Sequence, residues 1–439
     1  MTRRFASTVL ALTLVATLPS VGQAGELPPG DPKAEGFRPE PLEKIRGVLD
    51  GAVAARKVAG ATTLIVRRGK VVHSAVSGRR DVEAGKPLER STLFRIASMS
   101  KPITSAAVMV LVDDGKLGLD DPVSRFLPEF RDPRVLVMPR VGTPAPAEVP
   151  TVAAERPITI RQLLTHTCGL SYRFANPPVL GPLYVERAVS DGLAETPGTL
   201  ADNLKRLASL PLLHQPGSAW HYGLSTDVLG RVVEVASGMS FERFLRERIF
   251  RPLKMDDTGF LVPPGRRDRL AVLYTPAEDN TILRAPEGPI QMGPLVFSGH
   301  VPTWDTGTYH SGGAGLTSTI DDYARFLQMI LDKGELEGAR VLKVESVEAM
   351  TRHQIGDLRI PPIGQGEGFG LGFGVVLDEN RDRDPAGPGA LSWSGLFYTY
   401  FWVDVRREMI ALIMAQVAPA RDLSIGPDFK RLTYEALIE

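Results

Sequence analysis

Cysteine is almost missing from this chain, which has a single one, Cys168, among 439 residues. No disulfide bond can form within the chain, so its stability must come from a hydrophobic core, which a chain of this length is able to bury. A lone cysteine also raises the hypothesis of a thiol nucleophile. Its neighbour His166 is only two residues away, whereas catalytic pairs come from separate parts of a fold, so we interpret Cys168 as a small buried side chain.

Net charge is also absent, because 51 basic and 51 acidic residues give a formal charge of zero. Phosphate binding favours a basic excess, and we therefore expect no nucleic-acid partner. The chain has no His-Glu-x-x-His motif and no helical histidine pair, and its alternating glycines over 366–374 lack the spacing of a dinucleotide motif. We expect no metal and no cofactor, and we interpret these glycines as a strand with one glycine face.

Beyond the N-terminus no apolar run is long enough to span a membrane. Residues 1–24 combine two arginines near the start, a central apolar run and small residues at the end, which is the pattern of a secretory signal peptide. We expect an exported protein, periplasmic or secreted, with no integral membrane span after cleavage; an uncleaved anchor is the alternative. Residues 25–40 are rich in Pro and Gly and are predicted to form a linker.

The clearest strand patterns lie at the two ends of the chain. Runs over 62–67 and 71–77 predict a hairpin, and runs over 398–404 and 408–416 predict two further strands. The middle of the chain is predicted to be mainly helix and loop. The predicted fold class is therefore α+β, an α/β sandwich with an antiparallel sheet of about five or more strands from both chain ends, flanked by helices, and with an inserted helical domain.

These patterns also predict where the domains begin and end. Residues 41–120 and 311–439 are assigned to the α/β domain, and residues 121–310 to a mainly helical insertion with pocket loops. Loops carry most of the specificity of a binding site. The loops expected to shape the pocket are 131–157, 171–200 and 286–310.

The chain contains one Ser-x-x-Lys motif, formed by Ser98 and Lys101, directly before a segment with helical periodicity over 103–111. Because Pro102 is tolerated only near the start of a helix, Ser98 and Lys101 are predicted to share one face of the first turn. A serine hydroxyl needs a base to become a nucleophile, and a buried lysine can serve because desolvation lowers its pKa. Alone, such a short match also arises by chance.

Two further segments carry residues with catalytic potential. Tyr222 follows a Pro-Gly turn and precedes a predicted helix, where a phenol whose pKa is lowered by a nearby cation could relay a proton. In the segment 392–396, Gly395 allows close backbone approach, and an N–H group beside it could stabilise an oxyanion. His310, before a glycine-rich turn, is a candidate pocket residue. Each of these has an ordinary structural interpretation when taken alone.

In this order, the motifs resemble the serine β-lactamase and penicillin-binding-protein superfamily, in its class C branch and the related family VIII carboxylesterases. The matching segments follow the order of the family and are spread over most of the mature chain; they are Phe94–Lys101, Leu119–Val123, Ile160–Leu170, Pro216–Tyr222, Gly312–Leu316 and Phe401–Asp404. The resemblance implies that Ser98 is the nucleophile, Lys101 its general base and Tyr222 the partner that relays the proton. It also implies an oxyanion hole from the backbone N–H groups of Ser98 and Leu396.

The chain departs from the lactamase pattern at two positions. The Tyr-x-Asn motif of that family would place Asn where Leu224 stands, and its Lys-Thr-Gly motif would place Lys where Trp393 stands. Both lost groups help to bind the amide and carboxylate of a β-lactam. The segment Trp393-Ser394-Gly395 instead resembles the Trp-Gly-Gly-like motif of the esterases, and these three residues with His310 are the predicted substrate-binding residues.

We therefore predict a serine hydrolase that cleaves carboxylic esters of small or medium acyl chains through an acyl-Ser98 intermediate, with a small-molecule ester as its partner. Three alternatives stay open: a β-lactamase or D-Ala-D-Ala carboxypeptidase, an acyltransferase in which an alcohol replaces water, and a non-catalytic binding or sensor protein on the same fold. No Gly-x-Ser-x-Gly nucleophile elbow offers a competing serine. The sequence makes no prediction of the oligomeric state.

Overall fold

A computed structural model describes residues 25–137, 150–175, 177–300, 309–360 and 367–438. The predicted signal peptide, residues 1–24, lies outside the described residues. Among the helices that the structure describes, none has the length and apolar character needed to cross a bilayer.

Ten α-helices occur in the described part of the chain. They are α1 Pro39–Ala54, α2 Ser100–Asp113, α3 Ile160–Leu164, α4 Leu180–Glu186, α5 Leu200–Ala208, α6 Ser225–Ser237, α7 Phe241–Leu245, α8 Ile320–Leu331, α9 Val344–Thr351 and α10 Ile425–Ala436. The hydroxyls of Thr159 and Thr319 cap α3 and α8 by accepting backbone N–H groups of the first turn. Such caps satisfy donors that a helix start otherwise leaves unpaired.

Eighteen β-strands occur among the described residues. They are β1 Gly60–Arg67, β2 Lys70–Asp81, β3 Lys86–Pro87, β4 Phe94–Arg95, β5 Arg134–Leu136, β6 Thr151–Ala153, β7 Tyr274–Pro276, β8 Ile282–Arg284, β9 Pro289–Met292, β10 Leu295–Ser298, β11 Thr317–Ser318, β12 Glu335–Leu336, β13 Ala339–Arg340, β14 Glu367–Phe369, β15 Gly374–Val376, β16 Leu391–Gly395, β17 Thr399–Asp404 and β18 Met409–Ala415. Eight of them form one antiparallel sheet, in the order β14-β15-β16-β17-β18-β1-β2-β3. In the sheet β1 pairs with β18, with Thr62 opposite Met414. The prediction of an α+β fold with a sheet from both chain ends is confirmed.

Each face of the sheet buries a core of its own, because successive side chains of a strand point to opposite sides. On β18, Leu412 and Met414 join the core that contains residues of α2 and α8. Ala411 and Ile413 join the core that contains residues of α1 and α10. Helix α2 is therefore held on one face of the sheet, and its N-terminal end lies near β16.

Residues 121–310 contribute no described strand to the eight-stranded sheet. Their described elements are helices α3 to α7 and three small hairpins, β5 with β6, β7 with β8 and β9 with β10. The division of the chain into an α/β domain and a mainly helical insertion stays a prediction.

The segment 25–40, predicted to be a linker, packs against the rest of the protein. Leu27 and Phe37 are buried, and the Gly30 N–H donates a 2.9 Å hydrogen bond to the Val71 carbonyl on β2. Burial of these two apolar side chains stabilises the attachment. The high Pro and Gly content of the segment predicts a linker and gives no indication that these two side chains pack against the protein.

The alternating glycines do not form one strand, and that prediction was wrong. Strands β14 and β15 are the two arms of a hairpin, with Phe369 opposite Gly374. Between them Gly372 has a φ of +94°, and a Cβ there would overlap the Ser105 hydroxyl on α2. A glycine is required at this position by both the left-handed backbone and the close approach to α2.

Tyr323 on α8 holds the turn that precedes α2, and this contact generates a stability prediction. The Tyr323 side chain is fully buried, and its hydroxyl donates a 2.8 Å hydrogen bond to the Met99 carbonyl. Replacing Tyr323 by Phe leaves that carbonyl without its partner, so we expect the free energy of unfolding to fall by about 1–3 kcal/mol. Urea unfolding followed by circular dichroism measures the change, and a stability equal to that of the wild type would contradict it.

Candidate active site

Ser98 lies in a single 3₁₀ turn, Ala97–Met99, immediately before α2 rather than within the first turn of α2 as predicted. Ala97 has a φ of +40°, which is uncommon for a residue with a side chain. Backbone strain of this kind is concentrated at functional sites. The predicted proximity is nevertheless present, because Lys101 Nζ lies 3.0 Å from Ser98 Oγ.

The Lys101 side chain is buried, with 1% of its surface exposed. Its Nζ donates a 2.8 Å hydrogen bond to the Gly313 carbonyl, in addition to its contact with Ser98. Burial lowers the pKa of Lys101 to about 7, while the negative charges of Asp227 and Asp191 act in the opposite direction. Near neutral pH a large share of the molecules therefore carry an uncharged amine, which can accept a proton.

Tyr222 is held in a cluster of rings beside this pair. The Lys101 Nζ lies 4.6 Å from the centroid of the Tyr222 ring, and the rings of His166 and Trp393 lie 4.9 and 5.6 Å from it. Burial raises the pKa of Tyr222, and interactions with Ser98 and Trp393 offset only part of the shift. The sequence made a lowered pKa the condition for proton relay by this phenol; burial instead raises the pKa, so the phenol keeps its proton.

The end of β16 packs closely against the backbone that precedes Ser98. A Cβ at Gly395 would overlap the Ile96 carbonyl oxygen and the Thr399 hydroxyl. The Thr399 hydroxyl in turn donates a 3.4 Å hydrogen bond to that same carbonyl. This contact places Leu396, the next residue after β16, beside Ser98, and the role of its N–H group in an oxyanion hole stays a prediction.

A cavity of about 230 Å³ opens beside Ser98. Tyr222, Ser394 and Leu396 contribute to its lining, together with aliphatic and aromatic side chains. Among the predicted substrate-binding residues, Ser394 and Gly395 line this cavity. The volume is sufficient for a small acyl group next to the Ser98 hydroxyl.

Trp393 and His310, the other two predicted substrate-binding residues, do not belong to the described lining of this cavity. Trp393 packs against Tyr222 and Phe369, with ring centroids 5.6 and 5.2 Å away. His310 stacks on Phe260, with their ring centroids 4.7 Å apart. Trp393 therefore packs on Tyr222. His310 is linked to α7 by Phe260, whose ring also contacts Phe241 of that helix.

Sequence reasoning missed four polar residues that lie around Lys101 and its neighbour Asp227. They are Tyr172, Asp191, Asp227 and Tyr309. Asp227 on α6 is fully buried, and the Tyr309 hydroxyl donates a 3.4 Å hydrogen bond to its Oδ1. A signal for Asp227 was present, since an acidic residue on the apolar side of a predicted helix is unusual. Loops supply the other three, and no periodicity marks them.

Gly313 occupies the point where several of these groups converge. A Cβ at Gly313 would lie 2.8 Å from Asp227 Oδ2, 2.9 Å from the Tyr172 hydroxyl oxygen and 3.5 Å from Lys101 Nζ. Burial raises the pKa of Asp227, and the charge of Lys101 opposes that shift. The backbone at Gly313 thus brings a carboxyl group, a phenol and an amine into one buried cluster behind Ser98.

Known proteins share this sequence pattern. The Beta-lactamase family model matches residues 45–435. Protein Rv1367c of Mycobacterium tuberculosis is 36% identical over 421 residues, which cover 90% of this chain and 97% of that protein. Esterase EstB of Burkholderia gladioli is 34% identical over 382 residues, which cover 85% of this chain and 90% of EstB.

Solved structures share the fold as well. EstCE1, a hydrolase with promiscuous acyltransferase activity, superposes with a TM-score of 0.78 at 29% identity and covers 92% of this chain and 100% of its own. Simvastatin synthase (LovD) of Aspergillus terreus has a TM-score of 0.73 at 23% identity, covers 90% of this chain and 98% of its own, and shows the common fold. The chain therefore belongs to the beta-lactamase family, among its esterase-like serine hydrolases.

Proposed function

We propose that the protein is a carboxylesterase that cleaves esters of small or medium acyl chains through an acyl-Ser98 intermediate. The observation that carries this proposal is the buried Lys101 amine, 3.0 Å from Ser98 Oγ and with its pKa lowered to about 7. Two relatives support the same activity, because EstB is an esterase and EstCE1 is a hydrolase.

In the first half of the reaction, the neutral Lys101 amine accepts the Ser98 proton while Oγ forms a bond to the ester carbonyl carbon. The N–H groups of Ser98 and Leu396 donate to the carbonyl oxygen as it becomes negative. The bond to the alcohol oxygen then breaks. The proton passes from Lys101, by way of the neutral Tyr222 hydroxyl, to the departing alcohol.

In the second half, water attacks the acyl-Ser98 carbonyl and the same groups work in reverse. Lys101 takes a proton from the water, the ester bond to Ser98 breaks, and Ser98 Oγ regains a proton. The transient ammonium keeps its hydrogen bond to the Gly313 carbonyl and is stabilised by the negative charge of Asp227. The carboxylic acid then leaves and the free enzyme is restored.

Acyl transfer is the second candidate function, because an alcohol can attack the acyl-Ser98 carbonyl in place of water. The promiscuous acyltransferase activity of EstCE1 favours this candidate. The aliphatic walls that Leu193 and Leu295 give to the cavity would also favour an organic acceptor over water. Adding acceptor alcohols and measuring the transfer ester by mass spectrometry, relative to the free acid, distinguishes the two.

Hydrolysis of β-lactams is less well supported by the pocket. Among the described residues that line the cavity, the charged one is Asp191, which is acidic and would repel the carboxylate of a β-lactam. Trp393 stands where the lactamase pattern has a lysine, and its ring packs on Tyr222. We therefore place a β-lactamase or D-Ala-D-Ala carboxypeptidase activity behind ester cleavage.

The nucleophile assignment predicts that Ser98→Ala loses at least about a thousandfold in kcat for p-nitrophenyl butyrate, because no acyl-enzyme can form. Cys168→Ala is the matched control for a thiol nucleophile. The Cys168 Sγ is buried and lies 3.2 Å from the Ser225 hydroxyl, so its removal should leave turnover near that of the wild type. Wild-type turnover by Ser98→Ala would refute the assignment.

The lowered pKa of Lys101 predicts the pH dependence of the reaction. Below pH 7 the amine is protonated and cannot accept the Ser98 proton, so kcat/KM should rise with pH through a midpoint near 7. Asp227→Asn removes a negative charge that raises the pKa of Lys101, and its midpoint should lie at a lower pH. Stopped-flow assays from about pH 5 to about pH 9 measure both profiles.

Lys101→Arg tests whether the amine acts as the base, because arginine keeps the positive charge but stays protonated and cannot accept the Ser98 proton. We expect it to lose roughly a hundredfold or more in kcat. A midpoint that does not move in Asp227→Asn, or an active Lys101→Arg variant, would exclude Lys101 as the base.

The contact between β16 and the Ser98 turn predicts that Gly395→Ala lowers kcat/KM by about tenfold or more, because a Cβ there would push the strand away from Ile96. Gly47→Ala on α1 is the matched control, since its Cβ would meet no atom within 4 Å. Steady-state kinetics on p-nitrophenyl butyrate, with circular dichroism to verify folding, measure both variants. Equal activity in the two would show that the strand position does not matter.

A further inference from the structure

The cavity beside Ser98 has an acidic wall. Among its described lining residues, one carries a charge, and that residue is Asp191. The Asp191 side chain is largely buried, with 6% of the residue surface exposed. A carboxylate in such a place interacts strongly with whatever enters the cavity, because little water screens it.

Backbone groups hold the Asp191 carboxylate in place. The Arg173 N–H donates to Oδ1 at 2.8 Å, and the Phe174 N–H donates to Oδ2 at 3.1 Å. A carboxylate has about four acceptor positions, so these two bonds leave capacity on each oxygen. The carboxylate is therefore fixed in orientation and still able to accept from a group inside the cavity.

Aromatic faces accompany this charge. The rings of Tyr172 and Phe174 both line the cavity and stack on each other, with centroids 4.6 Å apart and planes 17° from parallel. The negative faces of aromatic rings attract cations, most of all where water is excluded. Tyr172 is already contacted by Phe174 and by Lys101 Nζ, which lies 5.3 Å from its ring centroid, so the ring left for a ligand cation is that of Phe174. A fixed carboxylate beside this ring is a combination that recognises a positively charged group.

Two basic groups lie near Asp191, but neither cancels the preference of the cavity for a cation. Arg173 and Lys101 both interact with the carboxylate. Neither is among the described residues that line the cavity, and burial lowers the pKa of Lys101 to about 7. Burial also raises the pKa of Asp191, to about 6, with the hydrogen bonds from residues 173 and 174 opposing it, so the group is ionised when Lys101 is neutral.

We propose that the cavity selects esters that carry a positively charged group, which pairs with Asp191 and contacts the ring of Phe174. This inference rests on the proposed esterase function and names the substrate class of the same site. A quaternary ammonium is the simplest probe, because it carries the charge and cannot attack its own ester.

The test compares pairs of esters that differ only in the charged atom. In the acyl series, the p-nitrophenyl ester of γ-trimethylammoniobutyrate is set against its carbon isostere, in which a tert-butyl group replaces the trimethylammonium group. In the alcohol series, butyrylcholine is set against its carbon isostere. We expect kcat/KM to be roughly tenfold higher for the cation in one series, which also shows which part of the ester occupies the cavity. No preference in either series would overturn the proposal.

Asp191→Asn tests whether the carboxylate causes the preference. The ratio of kcat/KM between the cationic and neutral esters should fall towards one in this variant, and a ratio within one variant is insensitive to partial unfolding. Glu195→Gln is the matched control. Glu195 accepts a 2.8 Å hydrogen bond from Ser298 and is not among the described cavity residues, so its ratio should stay at the wild-type value. A preserved ratio in Asp191→Asn, or an equal loss in both variants, would overturn the assignment.

Binding without turnover separates this inference from the esterase proposal. Calorimetric titration of Ser98→Ala with the methyl ester of γ-trimethylammoniobutyrate and with its carbon isostere measures the preference directly. Tighter binding of the cation together with absent hydrolysis by the wild type would reject the esterase function alone. Equal binding of the two together with active ester hydrolysis would reject the cation preference alone.

Discussion

The burial of the Lys101 amine, which removes it from water, is the interaction on which the properties of the site depend. Complete desolvation without compensation would leave the amine neutral but too weak a base, whereas a close ion pair would keep it charged. The structure lies between these limits, because the Gly313 carbonyl accepts a hydrogen bond and the charge of Asp227 opposes the effect of burial. A pKa of about 7 is the value that a general base needs near neutral pH.

The pKa of Lys101 depends on the whole fold, since the groups that bury the amine and the charge that opposes this effect come from distant segments. Helix α2 supplies Lys101, α6 supplies Asp227, and the turn after residue 310 supplies Gly313. The sheet adds the end of β16, which presses against the turn of Ser98. A change in the packing of any one element would alter the water around the amine, and with it the pKa of Lys101, on which the proposed activation of Ser98 depends.

The sequence was sufficient for the parts of the fold and site that are set locally. The strand pairs and the Ser98 and Lys101 proximity follow from periodicity and a three-residue spacing, and the structure contains them. What escaped prediction depends on partners far along the chain. The pKa of Tyr222 rises because rings from several loops bury it, and His310 packs on Phe260.

The glycine-rich hairpin near the C-terminus is a second case in which a contact with a distant part of the chain could not be predicted from the local sequence. Alternating glycines fit a strand by their spacing, but Gly372 meets Ser105 on α2, a contact with no trace in the local sequence. Likewise, Leu27 and Phe37 anchor a segment whose composition is that of a linker. Composition reports on the average behaviour of a segment, while one or two buried side chains decide where it lies.

The two buried acids near Lys101 differ in what else they contact. Both oppose the effect of burial on the pKa of Lys101, but Asp191 also lines the cavity that a substrate would fill, whereas Asp227 is not among the described lining residues. Trp393 stands where the lactamase pattern has a lysine, so the chain lacks that positive charge, and Asp191 supplies a negative charge in the cavity. The sign of the electrostatic field in the cavity is thus the reverse of what an anionic ligand requires, while the proposed nucleophile and base stay the same. A reversal of this kind lets one catalytic arrangement serve a different class of ester without any change in its chemistry.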